Sequence, residues 1–193
     1  MSEVEGQIRE ETLDAEREAR RRLALAQVRQ YPDPVLRMKA NEVTEFDGEL
    51  RRLADRMGGL MQEARGVGLA APQIGLLQRI LVYQASEEEP VRALVNPRVV
   101  EASETLETAT EGCLSLGAAT VVVEVERPDA VVVEARSPEG EEIRIEADGL
   151  TARVLQHELD HLDGVLIVDR TSDEGRKEAL AKLRPEVVLG PIS

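Results

Sequence analysis

Between Thr120 and Leu162 the chain places three short β-prone runs directly before one helix, and that order narrows its fold more than any other feature. The runs are Thr120 to Glu126, Ala130 to Ala135 and Glu141 to Glu146. Arg127-Pro128-Asp129 and Ser137-Pro138-Glu139-Gly140 separate them, and both are turn sequences. The spacing predicts an antiparallel meander. The third run alternates apolar and charged residues, as a strand with one face in water does. After Asp148-Gly149 the period changes. Leu155, Leu159 and Leu162 mark the buried side of a helix that Asp163-Gly164 ends, with glycine at a C-terminal cap position. Strands followed by a helix of this kind give an α+β fold.

The remainder of the chain is compatible with one domain and short tails. A length of 193 residues, 42% of them hydrophobic, suffices for one core. With no Trp, one Phe and two Tyr, that core must consist mainly of Val, Leu, Ile and Ala. A charged helix is predicted from about Glu10 to Gln27, with an apolar patch at Leu23, Leu25 and Val28. Tyr31-Pro32-Asp33-Pro34 is a turn. Leu50, Leu53, Met57, Leu60, Met61 and Ala64 share one face of a second helix, from about Gly48 to Ala64. Arg79 to Gln84 reads as a strand, and Leu94-Val95-Asn96-Pro97 leads into another near Val99. A last helix is predicted from Ser172 to before Pro185. The domain reading is a charged helical extension over 1–28, a catalytic unit over 29–171 and a C-terminal helix and tail over 172–193.

Net charge of -14 argues against nucleic acid as a partner, because phosphate contacts need clustered Lys and Arg. No apolar run approaches a membrane span, and residues 2–22 carry no apolar signal core. One cysteine forms no internal disulfide. Together these predict a cytoplasmic protein without membrane partners.

The chemistry concentrates in Gln156-His157-Glu158-Leu159-Asp160-His161. On a helix, His157 and His161 project from one face one turn apart and can share a cation. Glu158 sits beside them, able to reach a water without binding the ion. The chain holds only these two histidines. Two solvent-facing polar residues would be the ordinary reading of such a pair, but a chance scatter seldom puts both histidines in one ligand motif. A catalytic centre of this kind takes three protein ligands and keeps one position open. No histidine follows His161. Glu174 and Glu178 are available, and so is Cys113 in Glu111-Gly112-Cys113-Leu114-Ser115. A thiolate binds divalent iron or zinc well. Cys113 acting as a nucleophile would leave the histidine spacing unexplained.

Three segments resemble the peptide deformylase family. They are Gly66-Val67-Gly68-Leu69-Ala70-Ala71-Pro72-Gln73, Glu111-Gly112-Cys113-Leu114-Ser115 and the histidine segment, in the family's order. Tyr31-Pro32-Asp33-Pro34-Val35-Leu36-Arg37 and Asn96-Pro97 resemble it too. The likeness runs from about Tyr31 to Arg170. It implies antiparallel sheets packed around a central metal-binding helix. It implies that Cys113, His157 and His161 hold one divalent ion, natively Fe2+, with Zn2+, Ni2+ or Co2+ as substitutes. Glu158 would be general base and acid, and Gln73 with the N–H of Leu114 would bind the formyl oxygen. The backbone of Val67, Gly68 and Gly112 would pair with the substrate as an added strand. The implied reaction is hydrolysis of the N-terminal formyl group from formyl-methionyl nascent chains.

Two departures accompany the likeness. Leu116-Gly117-Ala118-Ala119-Thr120 follows the second motif, and no Arg lies between Cys113 and Arg127 to hold the substrate backbone. Met57-Gly58-Gly59-Leu60-Met61 replaces the family's usual threonine-methionine pattern. A transient ribosome association is part of what the resemblance implies. The near balance of Arg176, Lys177, Lys182 and Arg184 against Asp173, Glu174, Glu178 and Glu186 does not itself support it. Two other functions compete: an internal metallopeptidase of the H-E-x-x-H kind, and a deformylase-like metal- or peptide-binding protein without turnover.

Overall fold

A computed structural model describes residues 3–86 and 88–183. Four helices and seven strands make up the described fold: α1 (Glu3–Leu25), α2 (Gly48–Glu63), β1 (Gly68–Ala70), β2 (Ile80–Tyr83), β3 (Arg92–Ala102), β4 (Leu106–Gly112), β5 (Val122–Pro128), β6 (Ala130–Arg136), β7 (Glu142–Asp148), α3 (Gly149–Leu162) and α4 (Asp173–Lys182). All named strand pairings are antiparallel, as an α+β fold requires. Among the described residues no helix is long and apolar enough to cross a membrane.

The predicted single meander divides into two sheets. β6 and β7 form a hairpin within a five-stranded sheet of order β1-β2-β3-β6-β7, whereas β5 pairs back onto β4 in a separate two-stranded sheet. The division falls at Pro128-Asp129. Pro128 lacks an N–H and stands opposite Leu106 at the end of its ladder, a place where proline is tolerated. The Asp129 N–H then donates to Thr105 O at 3.0 Å, which turns the chain out of the second sheet. Strand β4, Leu-Glu-Thr-Ala-Thr-Glu-Gly, had no apolar alternation to announce it. Most of it is exposed, and only Glu111 is buried.

Helix α2 begins at Asp47, whose carboxylate accepts from the N–H groups of Glu49 and Leu50 at 2.9 and 3.0 Å, the usual chemistry of an N-cap. Leu50, Ala54, Met57, Leu60 and Met61 form its buried face against Leu69, Ile80 and Val82. Leu53, expected on that face, is only partly buried. The apolar patch predicted at the end of α1 holds at Val28 and in part at Leu25, but not at Leu23. Ala24 and Val28 enter the core, while Leu23 lies 69% exposed. Helix α4 starts where expected, with Ser172 Oγ accepting from Gly175 N at 3.1 Å. Pro185 and the predicted tail fall outside the described residues.

Helix α3 positions the site. Ala152, Leu155, Leu159 and Leu162 pack against Leu81, Leu94, Val131 and Val133 of the larger sheet. At roughly 1.5–3 kcal/mol per large apolar side chain buried, this face fixes the helix against the sheet. The helix also contacts β5 of the smaller sheet. It thus runs between the two sheets, with its polar residues facing the gap.

Candidate active site

The gap between β1 and the end of β4 is a cleft of about 260 Å³. Val67 and Gly68 form one wall, Gly112, Cys113 and Leu114 the other, and His157 and Glu158 the floor. His161 is 2% exposed and stands behind this floor. One ligand atom from each of Cys113, His157 and His161 falls within a group no wider than 4.8 Å. Cys113 Sγ lies 3.2 Å from His161 Nε2. Ions of the zinc type bind sulfur at about 2.3 Å and imidazole nitrogen at about 2.0–2.1 Å, which sets neighbouring donors roughly 3.3–3.6 Å apart on a tetrahedron. The three side chains are suited to such an ion in both chemistry and spacing.

Orientation of the His157 imidazole comes from residues that the sequence reading did not assign a role. His157 Nδ1 is 2.9 Å from Glu111 Oε2, which leaves Nε2 directed toward Cys113 and His161. Glu111 in turn accepts from Arg127 at 2.6 and 3.0 Å and from Arg153 at 2.8 Å. Arg127 also donates to Asp160 at 2.9 Å, and Arg170 donates to the same carboxylate at 2.5 and 3.1 Å. A carboxylate behind an imidazole fixes its tautomer and raises its basicity. The signal was available in principle: a histidine offered to a metal needs a partner for its other nitrogen. The distance between Glu111 and His157 in sequence concealed which carboxylate serves.

The electrostatics follow from this network. Burial pushes the Glu111 carboxyl up, but the hydrogen bonds from His157 and Arg127 outweigh it and hold the group down at about 2. Burial opposes charge on His157, yet its contacts with Cys113 and Glu111 carry it well above its ordinary value. His161 moves the other way, lowered by burial and by the charge on His157. Burial raises Glu158 to about 7; His157 opposes that rise and Glu111 adds to it. Among the described residues, Glu158 Oε2 is buried without a hydrogen-bond partner, as is His161 Nδ1. A carboxyl at about 7 can both accept and return a proton near neutral pH.

Gln73 is 1% exposed, with its amide fixed at both ends. Oε1 accepts from Ala70 N at 2.8 Å, while Nε2 points to Ser115 Oγ at 3.3 Å and Cys113 Sγ at 3.7 Å. Its N–H donors therefore face the cysteine. Gly68 has no room for a side chain: a Cβ there would stand 2.3 Å from Glu158 Oε1. The glycine lets β1 lie against the glutamate. Val67 is 47% exposed at the rim.

A thiol and two imidazoles gathered beside a buried carboxyl at an open cleft define the class as a metal-dependent hydrolase. The sequence model of the family described as polypeptide deformylase matches residues 25–177. The peptide deformylase of Natranaerobius thermophilus is 46% identical over 156 residues, covering 81% of this chain and 98% of that protein. The crystal structure of the Thermotoga maritima peptide deformylase superposes with a TM-score of 0.72 at 43% identity, covering 75% of this chain and 96% of that one. The Synechococcus elongatus peptide deformylase, in complex with actinonin, gives 0.76 at 41% identity, covering 80% and 85%. The chain belongs to the polypeptide deformylase family, and with it to the amide hydrolases.

Proposed function

We propose that this chain removes the formyl group from N-formylmethionyl ends of nascent polypeptides and releases formate. The observation that carries the proposal is the convergence of Cys113, His157 and His161 at a cleft that Cys113, His157 and Glu158 line. In this reading those three residues hold one divalent ion, natively Fe2+, with Zn2+, Ni2+ or Co2+ as substitutes. Such an ion, when bound, would supply Lewis acidity and lower the pKa of a water toward neutrality. Helix α3 is then the central metal-binding helix of the fold.

The chain's own residues do the rest. Glu158 accepts a proton from the attacking water and passes it to the amine that leaves as the carbon–nitrogen bond breaks. Gln73 Nε2 and the N–H of Leu114 donate to the formyl oxygen as charge collects on it. Losing one such donor costs about 2.7–4 kcal/mol in comparable sites. Val67, Gly68 and Gly112 offer backbone groups to the peptide, which lies between β1 and β4 as an added strand. Residues 29–171 form the catalytic unit, 1–28 an extension and 172–193 a C-terminal helix and tail. The protein works in the cytoplasm, and a transient ribosome association follows from the family alone, since α4 sets Arg176, Lys177 and Lys182 against Asp173, Glu174 and Glu178 and so carries no net basic charge among them.

The test is anaerobic formate release from a formyl-Met peptide, with metal content measured on the same sample. Formate release that scales with bound metal supports the reading. Cleavage of internal peptide bonds without preference for formylated ends would favour the metallopeptidase alternative, and metal without any turnover would favour a binding protein.

A further inference from the structure

The segment that follows α1 crosses behind the cleft and touches both elements assigned above to the formyl oxygen. Arg29 N–H donates to Gln73 O at 2.7 Å, and Tyr31 N–H donates to Ser115 O at 2.9 Å. Between them, the Gln30 side chain is bonded at both ends of its amide. Nε2 donates to Leu114 O at 2.8 Å, and Oε1 accepts from Ala118 N–H at 3.2 Å. A solvent-exposed glutamine thus spans the loop that follows Cys113, from Leu114 to Ala118.

That loop needs an external hold. Ala118 and Ala119 have φ of 53° and 65°, a left-handed conformation in which Cβ crowds the following carbonyl oxygen. Leu116 and Ala119 both donate to Cys113 O at 3.0 Å, so the loop folds back on the cysteine itself. Relaxation of the two alanines would be transmitted to the Cys113–Leu114 peptide, whose N–H must aim at the reacting oxygen. Such aim matters because a donor contributes to rate only where the oxyanion forms. One planar amide, offering a donor at one end and an acceptor at the other, restrains both the start of the loop and its left-handed turn.

The geometry points to Gln30 as a positioning residue for the reaction: it sets the direction of the Leu114 N–H by bracketing the Leu114 carbonyl and the Ala118 N–H from the segment after α1. This rests on the deformylase reading of the site. It adds a residue from outside the three motifs, in a segment where an exposed glutamine would ordinarily be counted as surface.

The test compares wild type, Gln30→Ala and Gln30→Glu, all metal-loaded, for formate release from one formyl-Met peptide. Gln30→Ala is expected to lower kcat about 3- to 10-fold, the rate equivalent of one net hydrogen bond. KM should stay within about twofold, with metal content unchanged and the melting temperature lowered by no more than about 4 °C, the stability equivalent of the same bond. Gln30→Glu keeps an acceptor for Ala118 but sets a carboxylate oxygen against Leu114 O, and that repulsion should hold its kcat no higher than that of Gln30→Ala. Wild-type kcat in either variant would overturn the assignment. So would a loss confined to KM, or one accompanied by loss of metal or by a fall in melting temperature beyond about 4 °C. An inactive wild type would instead overturn the deformylase reading, which separates the two failures.

Discussion

Replacing Arg127 with Met removes the guanidinium at the centre of the charge network while keeping a stem of similar length. Arg127 is 4% exposed and makes three charge-assisted hydrogen bonds, two to Glu111 and one to Asp160. Its loss leaves two buried carboxylates short of a partner. Breaking such a pair from one side costs about 3–5 kcal/mol. Glu111 sets a ceiling of the same order: holding its carboxyl at about 2 instead of its ordinary 4.5 is equivalent to about 3 kcal/mol, which His157 and Arg127 share. Arg153 and Arg170 still donate to the two acids, which places the expected loss near the lower end, about 3 kcal/mol. For a chain of this size that lowers the melting midpoint by roughly 6–12 °C. The pH dependence has a definite sign. Glu111 is depressed in the folded state, so its contribution is complete above pH 4.5 and disappears as pH falls toward 2. The gap between wild type and Arg127→Met should therefore be widest near neutral pH and narrow below pH 4.5. Urea unfolding of both proteins across that range provides the assay. A loss under about 1 kcal/mol, or a gap that stays constant in acid, would refute the reasoning.

The other predictions concern the cleft. Gly68→Ala would put a Cβ 2.3 Å from Glu158 Oε1, so turnover should fall by two orders of magnitude or more, roughly the cost of displacing a reacting group by about 1 Å, with metal still bound. Steady-state kinetics with metal analysis checks it. Glu158→Gln should lower kcat by about 10²- to 10⁴-fold at unchanged metal content, and normal turnover would remove Glu158 from the mechanism. In the metal-free protein the Glu158 carboxyl should titrate near 7, because burial disfavours its charge. A carbon-13 chemical-shift titration that instead shows a midpoint near 4.5 would contradict the buried environment. Chelation should abolish formate release, and adding back Fe2+ or Zn2+ should restore it.

The helices and the side chains that converge at the cleft were legible for definable reasons. Helix α3 carries an apolar stripe at regular spacing and ends at Asp163-Gly164, and its two histidines fall one turn apart on the polar side. The division into two sheets was not legible. Strands β5 and β6 have the same alternating pattern, and only the tertiary partner of each decides which sheet it joins. β4 was missed because its exposed Thr and Glu residues carry no buried face, although its end delivers Glu111 and Cys113. Leu23 misled for a related reason: a helix at the protein's edge buries the residue that faces the core, here the small Ala24. The support for His157 was hidden because Glu111 and Arg127 approach it only when the second sheet folds onto α3.

The central claim is that one ion is held by a sulfur from the loop after β4 and two imidazoles from α3. Anomalous diffraction at the metal absorption edge, on crystals of the metal-loaded protein, tests it most directly. One peak bonded to Cys113 Sγ, His157 Nε2 and His161 Nε2 is expected, on the side of the cleft where Glu158 lies. A peak that lacks the Cys113 sulfur, or one coordinated elsewhere on the chain, would contradict it.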